Sequence, residues 1–433
     1  MKKYVIIPGC SDLNRGDQAL VWETKRLAED AGYIGEYYLT SEKNEPIEQS
    51  TEKRIKIITP LIEHPSRKFK NKENIRYTKV LKLKWGIVAF FDLISSLLLL
   101  INPLRKFFKK IINNEKSFSI SIMEDAEAIF MKGGGLLQTY GGLSSTYSMF
   151  FWVYPILFAH RLDKPVYVMP NSYGPFEGPF VKSIARMALK KCVVLTSRET
   201  ISQKMVEDQL GLKVDNYPDL AFFLTKNQLD IIKIYKQYNI PKDKKLVAIT
   251  MRPYRFPSAV NSQKAYDEFK IEMASFIEWL SDQNYMPVVI EHTLAVNAHE
   301  NDGACIKEVL SLVKNNKYRF ISDSKFDCQD LKAVYSMCNY IVGTRFHSVI
   351  FSFGSDIPGI AIAYAGNKSQ GIMHDIGLDD YILNISDVSC KKLVEKFTQL
   401  ESNRENVVKK IREYRISAEE KRLSLIEACK KGY

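Results

Sequence analysis

Short apolar runs, each closed by a glycine, a proline or a polar residue, recur along this chain and alternate with longer stretches of mixed character. They fall at residues 4–8, 128–131, 166–169, 193–196, 245–251, 286–291, 340–342 and 357–362. Runs this brief and this apolar read as strands buried in a sheet covered on both faces. Helical patterns stand between them, at 18–31, 269–283 and 331–337. A strand–helix alternation of this kind predicts parallel sheets flanked by helices. With 433 residues the chain has room for two such units, so the fold class is α/β with two doubly wound domains. We place the first at 1–225 and the second at 245–393, with the boundary in the lysine-rich stretch 226–244. Residues 394–433 form a helical tail.

The net charge of +12 favours anionic partners: phosphorylated substrates, an anionic membrane surface or nucleic acid. Nucleic acid is set aside, since the chain has no zinc-ligand spacing, no aromatic signature of an RNA-recognition motif and no long arginine block. Cys10, Cys192, Cys305, Cys328, Cys338, Cys390 and Cys429 are scattered, odd in number and never spaced as C-x-x-C. That pattern points to reduced thiols in the cytoplasm, without a disulfide framework or a metal site. The opening residues resemble a signal peptide only superficially, and a first core strand is the better reading. One segment breaks the alternation. Residues 86–101 are almost wholly apolar and carry basic flanks, Lys79, Lys82 and Lys84 before and Arg105, Lys106, Lys109 and Lys110 after. The run is short of a bilayer span. It reads as an insertion near 79–110 that either lies on an anionic membrane surface or packs as a buried helix with a basic rim.

Chemistry-bearing residues gather where strands end. Gly343-Thr344-Arg345-Phe346-His347 joins the run 340–342 to a buried helix start. This delivers a guanidinium and an imidazole beside helix amides, a setting suited to an anion. Arg252, His292 and Lys368 follow other strands of the second half. Two histidines among them, His292 and His347, exchange protons near neutral pH. In the first half, Asn14 and Asp17 follow the first strand, and Asp17 reads either as a group acting on a sugar hydroxyl or as a helix cap. Gly133-Gly134-Gly135 matches no nucleotide-binding fingerprint and reads as a ligand approach or a tight packing turn. Asn171 offers an amide suited to a sugar, and Arg198 beside Glu199 reads as an anion ligand or a surface ion pair.

These blocks together resemble the polysaccharide pyruvyl transferase family. The resemblance rests on Asn14-Arg15-Gly16-Asp17-Gln18-Ala19-Leu20, Gly133–Gly135, Ser197-Arg198-Glu199, Asp219-Leu220-Ala221-Phe222 and Gly343-Thr344-Arg345-Phe346-His347, with Pro358, Tyr364, Lys368 and Gly371. It implies two Rossmann-like domains in a GT-B-like arrangement, with the acceptor on the first and the donor on the second. It further implies phosphoenolpyruvate as donor, a sugar of a surface or exopolysaccharide or its lipid-linked precursor as acceptor, and a pyruvate ketal as product. No cofactor and no metal are called for. Arg345 matches the family's donor block together with His347. Lys368 and Arg198 join Arg345 on donor charge, and Asn14, Gly134, Gly135 and Asn171 line the site. Asp17, Glu199 and His292 compete as acid and base, and His347 contacts phosphate or moves a proton. Two other readings stand beside this one: a nucleotide-sugar glycosyltransferase, for which Glu291 is the one obvious ribose ligand, and a non-catalytic scaffold of polysaccharide assembly. The acceptor sugar, the ketal stereochemistry and the oligomeric state are not written in the sequence.

Overall fold

The computed structural model describes residues 1–41, 45–63, 65, 79–142, 144–295, 300–364 and 366–430. Ala365, three positions before Lys368, and the last three residues of the sequence lie outside them. Among the described residues the strands form two sheets in which all paired neighbours run parallel. The first holds β1 (Lys3–Ile7), β2 (Glu36–Thr40), β3 (Ile55–Ile58), β4 (Ala128–Met131), β5 (Gly134–Tyr140), β6 (Val166–Glu177), β7 (Val194–Ser197) and β8 (Asp215–Asn216). Its order is β3-β2-β1-β4-β6-β7-β8, with β5 paired to β6. The second holds β9 (Lys245–Thr250), β10 (Tyr285–Ile290), β11 (Arg319–Ile321), β12 (Tyr340–Gly343), β13 (Gly359–Ala363) and β14 (Ile382–Asn384), in the order β11-β10-β9-β12-β13-β14. In each sheet the order reverses beside its first strand, between β1 and β4 and between β9 and β12. Such switch points open a crevice at the carboxyl ends of the strands.

The helices of the first half are α1 (Arg15–Asp30), α2 (Glu48–Glu52), α3 (Lys79–Leu99), α4 (Asn102–Ile111), α5 (Asn114–Asp125), α6 (Ser144–Arg161), α7 (Val181–Leu189) and α8 (Thr200–Leu210). Those that follow are α9 (Ile231–Gln237), α10 (Ser262–Asp282), α11 (Asp302–Leu310), α12 (Cys328–Ser336), α13 (Phe346–Phe353), α14 (Lys368–Ile376), α15 (Cys390–Ser402) and α16 (Arg404–Lys430). One hydrophobic core runs through both halves. Tyr4, Ile6, Leu20 and Phe130 of the first sheet side join Ile249, Val342 and Phe351 of the second, with the 3₁₀ turn Leu220–Phe223 between them. A second core, with Val5, Ile129, Tyr154 and Val168, fills the opposite face of the first sheet.

Several local features differ from the sequence reading. Of the glycine run, which reads as a ligand approach or a tight packing turn, Gly134 and Gly135 open a strand, β5. β6 does not stop at residue 169 but continues through two prolines. On one side its partner changes from β4 at Val168 to β5 at Asn171, and on the other the register with β7 shifts between the same two residues, so Pro170 sits where no ladder donor is needed. Pro175 likewise falls at a register shift between Tyr173 and Phe176. α1 begins at Arg15, three residues before the apolar periodicity, because Asn14 caps it by accepting a hydrogen bond from the Asp17 amide at 3.3 Å. The tail is two helices that meet at Asn403.

Candidate active site

Residues from both sheets meet in one crevice. Asn14, Gly16 and Asp17 come from the turn after β1 and the first turn of α1. Lys132 follows β4, Asn171 lies on β6, and Arg198 follows β7. From the second half, His347 follows β12 and Lys368 starts α14. The His347 ring lies against α1 so closely that a Cβ on Gly16 would stand 2.0 Å from Nδ1. Glycine is thus required at position 16 by close approach rather than by backbone angle.

The polar groups form two linked pairs. Lys132 Nζ donates to Asp17 Oδ1 at 2.5 Å, and Asn14 Nδ2 donates to the other oxygen at 2.8 Å. Arg198, fully buried, donates from Nη1 to Asp219 Oδ2 at 2.8 Å and from Nε to Ser172 Oγ at 2.7 Å. His347 Nε2 lies 3.8 Å from that same Asp219 oxygen and 2.8 Å from Lys368 Nζ. Gly135 leaves room beside the Arg198 guanidinium, since a Cβ there would be 3.2 Å from Nη2. Gly134 does the same for Asn171 Oδ1, at 3.6 Å. Asn171 is wholly buried and donates to the carbonyls of Lys132 and Met169, at 3.1 and 2.8 Å, while its Oδ1 has no hydrogen-bond partner among the described residues.

Charge follows from this packing. Burial raises the pKa of Asp17, but Lys132, through its charge and hydrogen bond, and then Lys368 and Arg198 more than reverse the effect, so the carboxyl is held ionised. Burial drives Lys368 well below the usual lysine range, and the like charge of Arg198 adds to it against the pull of Asp219 and Asp17. Burial and Lys368 likewise push His347 well below its ordinary value, leaving a neutral imidazole. Fixed cations, ionised carboxylates and an amine whose charged form burial disfavours therefore come together here.

The remaining residues singled out in the sequence stand differently. Arg345 forms a buried fork on Asp302, with Nε 3.0 Å from both oxygens and Nη2 2.6 Å from Oδ1, and its Nη1 is 3.5 Å from Glu300. His292 is 1% exposed, and its Nδ1 is 3.0 Å from the Tyr335 hydroxyl. Burial, then Arg345, lowers its pKa well below the usual value. The Arg252 guanidinium stacks 4.3 Å from the Tyr364 ring centroid. Glu199 caps α8, its carboxylate accepting from the Ser202 amide at 2.7 Å, and Gly371 of α14 packs on it. Asp17, by contrast, is not the cap of α1. Lys132, Asp219 and Asp302 were not singled out as site residues. For Lys132 the signal is present in the sequence, a lysine directly after a buried strand, beside glycines that themselves read as a ligand approach or a packing turn.

Burial raises Glu199 from 4.5 to about 7, against hydrogen bonds from Ser202 and the charge of Arg198. The fold favours the protonated form, so this contribution is complete below pH 4.5 and is lost as pH climbs through about 7. Glu199→Gln is expected to remove that dependence. Between about pH 5 and about pH 8 the parent should lose roughly 3 kcal/mol more stability than the variant, as read by urea unfolding. Parallel curves for the two proteins would contradict it.

A family model for polysaccharide pyruvyl transferases matches residues 14–366, which takes in Asn14, Asp17, Lys132, Arg198, Asp219 and His347. The chain belongs to the polysaccharide pyruvyl transferase family. Lys368 lies just past the matched range. This pyruvyl transferase family member is also similar to the amylovoran biosynthesis protein AmsJ of Erwinia amylovora, at 26% identity over 273 residues. That match covers 59% of the chain and 64% of AmsJ, so the chain spans a little under two thirds of this relative. Among solved structures it is similar to a protein of Listeria monocytogenes assigned as a UDP-N-acetylglucosamine 2-epimerase, with a TM-score of 0.56 and 10% identity over 95% of this chain and 91% of the other. It is similar as well to a glycosyltransferase of Rickettsia africae, with a TM-score of 0.51 and 12% identity over 100% and 96%. These likenesses show the fold alone: two Rossmann-like domains in the GT-B-like arrangement.

Proposed function

We propose that this family member moves the enolpyruvyl group of phosphoenolpyruvate onto a sugar of a surface or exopolysaccharide, or its lipid-linked precursor, in the cytoplasm. The observation that carries this reading is the convergence of Lys132, Arg198 and Lys368 around a neutral His347. A compact donor bearing a carboxylate and a phosphate needs several cations at fixed separation. Arg198 takes the donor's charge, Lys368 joins it once the donor's own negative charge offsets the burial and the repulsion of Arg198, and Lys132 completes the cradle from the acceptor half, 1–225. Arg345, tied to Asp302, orients the loop of the donor half, 245–393, that carries His347.

The reaction begins with a proton delivered to C3 of the donor, turning the methylene into a methyl and making C2 electrophilic. The Lys368–His347 pair shares the proton suited to this step. A sugar hydroxyl oxygen then bonds to C2 and loses its proton to Asp17, which Lys132 keeps ionised. A second hydroxyl of the same sugar bonds to C2 as the C2–O bond to phosphate breaks. Its proton leaves with phosphate or to solvent, and the product is a ketal bridging two hydroxyls. Asn14 and Asn171 face the acceptor, with Gly134 and Gly135 giving it room. Glu199 and His292 act on the fold, not on the substrate.

The test is phosphate release from phosphoenolpyruvate in the presence of a panel of lipid-linked sugars, with mass analysis of the sugar. Release that depends on one sugar, with a ketal on that sugar, is the expected result. Consumption of a nucleotide sugar with no phosphate released from phosphoenolpyruvate would replace this reading with glycosyl transfer.

A further inference from the structure

The insertion after the first three strands carries an apolar face that the described protein leaves uncovered. Along α3, Leu83, Ile87, Phe90, Phe91, Ile94 and Leu97 recur at helical spacing, and each is at least 40% exposed. Phe107 and Ile111 of α4 continue the patch at 60% and 61%. Such an area is far from what scattered surface residues produce. The opposite side of the same helices is already fixed. Leu93 and Leu100 pack on the second core, Leu99 is part of it, and Tyr154 donates to the Ser96 carbonyl at 3.0 Å. Arg105 and Lys109 are held by Glu124 at 3.2 and 2.6 Å. The outward face is therefore presented by an anchored hairpin. Lys84, Lys106 and Lys110 are exposed on the same two helices, and Asp92 is the sole acid between residues 79 and 113.

We infer that α3 and α4 seat this protein on an anionic lipid leaflet, lying in its surface. Apolar side chains in register with lysines are the pattern that binds headgroups and acyl chains together. No described helix is long and apolar enough to cross a membrane. A second copy is the poorer occupant, because an isologous contact would bring the same lysines of both chains together. The inference goes beyond the proposed reaction and does not depend on it.

The experiment is flotation of the full chain with phosphatidylcholine vesicles that contain phosphatidylglycerol, against phosphatidylcholine alone. Binding to the anionic vesicles should be at least about tenfold stronger. That preference should vanish at about 1 M salt, where the screening length is about 3 Å. Phe90→Ser, Phe91→Ser and Leu97→Ser together should cut binding at least about tenfold with the circular dichroism spectrum unchanged. Lys84→Glu, Lys106→Glu and Lys110→Glu together should erase the anionic preference while leaving the apolar face whole. Absence of binding to anionic vesicles overturns the inference, and so does a concentration-dependent dimer that the serine substitutions dissolve.

Discussion

Replacing Lys368 with methionine is expected to lower kcat/KM for phosphoenolpyruvate by about 10²–10³-fold, the usual cost of removing one preorganised charge from a developing anion. The same change should leave thermal stability almost untouched. Lys368 is half-buried, its nearest polar neighbour is the neutral His347 at 2.8 Å, and its charged form is already disfavoured by burial and by Arg198. Methionine keeps the length of the side chain and removes an amine the fold does not favour. Arg198 would be a poorer choice for this test, since its loss strands a buried Asp219 and mixes instability with chemistry. Lys368→Arg should not restore activity, because a guanidinium cannot occupy the short contact to His347 without displacing the ring from Gly16. Initial rates of phosphate release, set beside unfolding curves, decide the matter. A loss smaller than about threefold would remove Lys368 from the donor cradle.

Asp302→Ala is the change expected to harm the fold most, by about 3–5 kcal/mol. Asp302 is wholly buried, takes the fork of Arg345 and also accepts from the Thr293 amide at 3.0 Å. Its removal leaves a guanidinium 6% exposed, with Glu300 at 3.5 Å as the one remaining carboxylate partner among the described residues. Removing both charges, as Asp302→Ala with Arg345→Met, should recover much of that loss, since breaking a buried pair costs more than replacing it. Denaturant midpoints of the two single variants and the double variant measure the coupling. The cycle also tests the role given to Arg345. An Arg345→Met protein of full stability that fails only in donor KM would put the guanidinium on the substrate instead of on Asp302.

The strand pattern was legible because parallel strands buried on both faces leave uninterrupted apolar runs, as Ala128–Met131 and Lys245–Thr250 do. Glu36–Thr40 and Ile55–Ile58 escaped, being short and carrying charge at Glu36 and Lys56. The far half of β6 was hidden by two prolines, one tolerated where the pairing partner changes and the other where the register shifts, both tertiary facts. The strand-end positions of Arg198, His347 and Lys368 were readable, and so was their meeting at one edge. What those residues bind within the protein was not. Nothing local marks Asp302 as the partner of a residue far along the chain, and an acid opening a helix looks like an ordinary first-turn residue. The exposure of α3 was equally beyond reach, because an apolar run carries no label saying which of its faces has a neighbour.

The final helix has a mechanical consequence. α16 leaves the second half, sets Tyr414 against Phe222 with ring centroids 5.2 Å apart, pairs Arg422 with Asp30, and offers the Cys429 carbonyl to the Tyr33 hydroxyl at 2.9 Å on the first half. It works as a strap. The two halves cannot separate at the crevice without bending about this ligature or breaking its three contacts.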